Sequence, residues 1–157
     1  MTDVELASLL SELRQTANAL NSEMGAVNSI ISQVEAQLVG MNLGLECWLD
    51  HDLDLIQVGH AMEPSSDEPD APFEVIRIET QLGFSKVGGN WCLSVRKASY
   101  TENRQFESAQ DGVKLQDTSR ETRIRGLQLL PTLLSKLKAK AEQDRRTIQD
   151  AQKLIGG

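Results

Sequence analysis

The chain has 157 residues, of which 25% are charged and 39% hydrophobic, and its net charge is −7. Those proportions exclude an intrinsically disordered chain, and no apolar run approaches the ~20 residues that a membrane span needs. That length predicts a single domain, and two cysteines with an N-terminus without a basic or apolar leader point to a reducing, cytoplasmic setting.

Residues 1–41 predict one long helix. Thr2 and Glu5 fit a capping box, with Met1 and Leu6 spaced as a hydrophobic staple. From Leu6 the apolar positions alternate by four and three through Leu10, Leu13, Ala17, Leu20, Met24, Val27, Ile31, Val34 and Leu38. That is a coiled-coil seam, carried on a helix about 55 Å long. Gly40 and Gly44 supply the stop.

Residues 42–116 read as an antiparallel β-meander of about four strands, and all six aromatics lie there. Leu43, Leu45, Cys47 and Leu49 alternate with Gly44, Glu46 and Trp48, which is strand periodicity. A polar turn is expected at Asp50-His51-Asp52, then a strand from Leu53 to Val58. The acidic, Pro-rich stretch 61–72 predicts a mobile loop. Strands follow over Phe73 to Val87 and Asn90 to Ala98, joined by the hairpin dipeptide Gly88-Gly89. Tyr100 to Gln116 is polar and gives no periodic signal.

Residues 117–157 predict a second long helix. Thr118 to Glu121 again fits a capping box, placing the start near Ser119. Its seam runs Leu127, Leu130, Leu134, Leu137, Ala141, Ile148, Ala151 and Ile155, with Asp144 as the one polar member. Pro131 predicts a kink, or a break into two helices.

Residues 1–41 carry a net −4 and residues 117–157 a net +4. Opposite charge implies that the arms face each other. In an antiparallel pair residue i opposes roughly 157 − i, which brings Arg14 towards Asp144. Leu9 and Ile30 widen the first seam, as Leu133 and Leu154 widen the second. A stripe that broad suits more than two helices, and a homodimeric four-helix bundle is the simplest source. The pairing and dimer interface is then expected at Leu6, Leu9, Leu10, Leu13, Leu20, Met24, Val27, Ile31, Val34, Leu38, Leu130, Leu134, Leu137 and Ile148. The fold class is α+β, helix–sheet–helix. In its order of elements the chain resembles a prefoldin subunit, whose helical arms are joined by β-hairpins; the likeness carries over no residues and no activity.

Chemistry-bearing residues are few. Cys47, His51, His60 and Cys92 are the full set of cysteine and histidine, but they lack the paired spacing of a zinc site. His51, Asp52, Asp54 and His60, with Asp50, are the candidates for a divalent cation or acid–base work, although turns collect solvated Asp and His anyway. No phosphate-cradling loop, nucleophile elbow or H-E-x-x-H motif occurs. The basic second arm has no aromatics for base stacking, which argues against nucleic acid. Trp48 and Trp91 could mark a binding surface on the sheet, or simply be its core. The expectation is a non-enzymatic scaffold, adaptor or chaperone-like module with a protein partner and no cofactor. The alternative is a small enzyme or a ligand or metal sensor using the Asp50–His60 region.

Overall fold

The computed structural model describes residues 2–53, 57–60, 75–101 and 103–156. Helix α1 spans Asp3–Gly40. Strands β1 (Cys47–Asp52), β2 (Gln57–His60), β3 (Val75–Val87), β4 (Asn90–Thr101), β5 (Phe106–Ala109) and β6 (Val113–Lys114) follow. A 3-10 turn at Leu115–Asp117 leads into α2, Arg120–Gly156. The class is α+β with an antiparallel sheet. The acidic loop at 61–72, Asp54 and the Met1 end of the staple lie outside the described residues.

The spine of the sheet is the long β3–β4 hairpin, in register from Ile76↔Thr101 to Val87↔Asn90. Gly88 and Gly89 close it with φ of +59° and +84°, the left-handed pair that a two-residue hairpin turn demands. β1 and β2 both pair with β3, while β5 and β6 both pair with β4.

Two local expectations need correction, and one unassigned stretch gains strands. The Asp50-His51-Asp52 stretch is not a turn but the second half of β1. An edge strand needs backbone bonds more than apolar side chains, and a bulge between Trp48↔Gly83 and Asp52↔Gln81 absorbs the extra residues. Residues 43–46 are not strand, because Asn42 (φ +52°) and Gly44 (φ +63°) turn the chain off the helix end. The Tyr100–Gln116 region contains β5 and β6, whose side chains are all exposed and so lack apolar alternation.

The helix caps divide similarly. At α1 the Thr2 amide donates to Glu5 Oε2 (2.8 Å) and the Glu5 amide to Thr2 Oγ1 (3.2 Å), a complete capping box. At α2 the cap is Ser119, which accepts from the Thr122 amide at 3.2 Å. The Thr118–Glu121 box does not form, because the Thr118 hydroxyl donates back to the Leu115 carbonyl at 2.6 Å. α2 runs unbroken through the exposed Pro131, flanked on its buried side by Leu130 and Leu133.

One core joins both helices to the sheet. Ile31 and Leu38 of α1 and Leu130, Leu133 and Leu137 of α2 pack with Leu49, Leu82, Phe84, Leu93, Val95 and Leu115. Leu133, expected beside the seam, is wholly buried, whereas Leu134, expected on it, is 37% exposed. The buried stripe of α2 is rotated because its main partner is the sheet rather than another helix. Leu115 closes against Gly126, where a Cβ would lie 3.0 Å from Leu115 Cδ1. The two helices meet where Arg123 donates to Asn28 Oδ1 (2.7 Å), and Gln116 of the 3-10 turn donates to the Asn28 carbonyl (2.9 Å). Residues 3–16 of α1 and 142–156 of α2 are exposed. Among the described residues Arg14 and Asp144 form no ion pair.

Candidate functional site

Strand alternation puts Cys47 and Leu49 into the core and Trp48 on the opposite face. There the indole lies across Gly83, its strand partner, and reaches Gly112. The indole N–H donates to Glu46 Oε1 at 2.8 Å. The Arg96 guanidinium covers the ring, 4.4 Å from its centroid, a cation–π contact. Arg96 is steered by its Nε–H, which donates to Gln81 Oε1 at 3.0 Å. Gln81 is buried and donates in turn to the Tyr100 hydroxyl.

α2 brings two more cations to this place. Lys136 and Lys140, one turn apart, donate to the carbonyls of Trp48 and Glu46 respectively. Lys136 also approaches the Asp50 carboxylate at 3.8 Å. Trp48, Arg96, Lys136 and Lys140, with Glu46 and Cys47, line a groove of about 550 Å³. Burial pushes the Cys47 thiol above its ordinary range, and the two lysine ammoniums partly oppose that. Burial likewise raises Cys92, with the Glu35 carboxylate adding to the effect. Both thiols are therefore held as neutral S–H, and both cysteines are free and buried.

The residues singled out from sequence are dispersed. Trp91 stacks on Phe84 at a centroid separation of 5.2 Å and packs against the core. It sits on the face opposite Trp48, so the two indoles do not share a surface. Asp52 pairs with Gln81 and His60 with Val75, which sets them roughly 20 Å apart along β3 at ~3.3 Å per residue. His51 and Asp52 lie in β1 and His60 in β2. Among the described residues no three His, Cys, Asp or Glu side chains come together as a metal site would require.

The seam residues separate into two groups. Met24, Ile31 and Leu38 are buried, Leu20, Val27 and Val34 half-buried. Leu6, Leu9, Leu10 and Leu13 are exposed by 48, 49, 55 and 62%. On α2, Leu130 and Leu137 are core, and Ile148 is exposed. No described helix is long and apolar enough to cross a membrane.

The groove was not visible from spacing, since its residues come from three places in the chain. The one signal for it was Lys136 and Lys140 at i and i+4, which puts both on one helix face. No protein-family model matches the chain, and no curated protein or solved structure matches it.

Proposed function

We propose that this chain is a non-enzymatic scaffold or adaptor, chaperone-like in its use of helical arms, that self-associates and holds a protein partner. The observation that carries the reading is the exposed stripe of Leu6, Leu9, Leu10 and Leu13 on the outer half of α1. A contiguous apolar stripe on a charged rod gains stability when another helix covers it, at ~25 cal/mol per Å² of apolar area removed from water.

A second copy is the occupant that the charges favour. Residues 3–23 hold four acids against Arg14, whereas residues 138–156 hold five bases against three acids. The acidic arm of one copy thus complements the basic arm of another, and a two-fold axis satisfies both pairs at once. Ile148 and Ile155, exposed on the basic arm, give it apolar surface to offer. The pairing would form a four-helix coiled-coil bundle outside the sheet. The alternative of a metal or ligand sensor at Asp50–His60 has less support, given the separation of Asp52 from His60 along β3.

Light scattering tests this directly. Twice the 17.3 kDa chain mass is expected for the unaltered protein, and the single-chain mass for Leu10→Glu with Leu13→Glu at unchanged helix content. A stable 17.3 kDa species from the unaltered protein would overturn the proposal.

A further inference from the structure

The groove between β1 and α2 has a use of its own, independent of the arms. The geometry points to a binding site for a phosphate group, free or carried on a small organic molecule, held by Arg96, Lys136 and Lys140. A chain with a net charge of −7 gathers three cations here, from β4 and α2. Two like charges at i and i+4 repel, and an anion between them removes that cost.

The three cations have donors to spare. Lys136 spends one N–H on the Trp48 carbonyl of β1 and Lys140 one on the Glu46 carbonyl just before that strand, and an ammonium has three. Arg96 spends its Nε–H on Gln81, and among the described residues its two terminal nitrogens have no hydrogen-bond partner. The stacking on Trp48 and the bond to Gln81 fix the guanidinium plane before any ligand arrives, which lowers the ordering cost of binding. Two acids are close, and each is already partnered: Glu46 accepts from the Trp48 indole, and Asp50 pairs with Lys136 at 3.8 Å. Three cations against two acids accept a dianion better than a single carboxylate. The volume of about 550 Å³ falls in the range of small-molecule sites. The Trp48 ring is already in contact with Gly83 and covered by Arg96, so recognition rests on the anion and not on stacking.

Calorimetric titration of the full chain with inorganic phosphate, glycerol phosphate and acetate, at matched ionic strength, tests the site. Saturable binding of phosphate, and weaker binding of acetate by about tenfold or more, is expected for charge-assisted hydrogen bonds to a dianion. Tighter binding of glycerol phosphate than of inorganic phosphate would assign the site to an organic ester; the reverse would assign it to the free ion. Arg96→Gln and Lys140→Gln should each weaken binding by about tenfold, while Lys138→Gln, exposed on the same helix, should not. Absence of saturable phosphate binding, equal binding of acetate, or equal effects of the Lys138 and Lys140 variants would overturn the assignment. Arg96→Gln keeps the test decisive if Lys140→Gln loosens the helix against β1.

Discussion

The indole of Trp48 rests directly on the backbone of Gly83. A Cβ at residue 83 would lie 2.3 Å from Trp48 Cε3 and 2.5 Å from the Cys47 carbonyl oxygen. Gly83→Ala should therefore destabilise the protein by about 2 kcal/mol or more, the scale of overpacking in a closed site. Truncating Trp48 to Ala in the same chain should recover only part of the loss, because the carbonyl contact remains. Urea midpoints of the two single variants and the double variant measure this. Complete recovery would show that the ring alone sets the constraint.

Leu133 and Leu13 are both leucines on long helices, yet they should respond differently. Leu133 is wholly buried, so Leu133→Ala should cost about 2–5 kcal/mol through lost contacts and a cavity. Leu13 is 62% exposed, so Leu13→Ala should leave the single chain's stability within about 0.5 kcal/mol and act instead on association. Chemical denaturation at two protein concentrations separates the effects: the Leu133 loss is independent of concentration, the Leu13 loss is not.

The α2 cap makes a sharper sequence-level test. Ser119→Ala removes the acceptor for the Thr122 amide and should cost about 1 kcal/mol. Glu121→Ala should cost much less, since the Glu121 side chain does not close a capping box. Equal losses in thermal melts would contradict the observed cap.

Both cysteines contribute a pH dependence with a definite sign. Burial raises their thiol pKa in the folded chain above the unfolded value. Their stabilising effect is complete below the unfolded pKa and fades as pH rises through the folded one. The unaltered protein should therefore lose more stability between pH 8 and pH 10 than a Cys47→Ala, Cys92→Ala variant does, on the ordinary thiol pKa of ~8.5. Paired urea titrations read the difference. Both thiols should also react slowly with maleimide at neutral pH in the native state.

The two helices, the Thr2–Glu5 box and the Gly88-Gly89 hairpin were legible because each is a local pattern with its own physical cause. β5 carries no periodic signal because Phe106–Ala109 is exposed along its length and owes its pairing to the backbone of β4. The rotation of α2 was hidden for another reason: whether Leu133 or Leu134 is buried depends on what covers the helix, and the sheet does so here. The groove needed the tertiary fold outright, since Trp48 and Arg96 meet only through the register of β1, β3 and β4. Sequence spacing could pair Lys136 with Lys140 but could not show them the carbonyls of Trp48 and Glu46.

Those lysine contacts have a counterpart across the sheet. On β4 the Leu93 amide donates to Glu35 Oε1 at 2.9 Å, just beyond the end of β6, whose pairing stops at Ser94. At the β1 margin the carbonyls of Trp48 and Glu46 accept from Lys136 and Lys140. Each helix thus places a charged side chain where a neighbouring strand would otherwise bond. At these two places an intruding strand would have to displace an ion, the kind of guard that keeps sheets from fusing edge to edge.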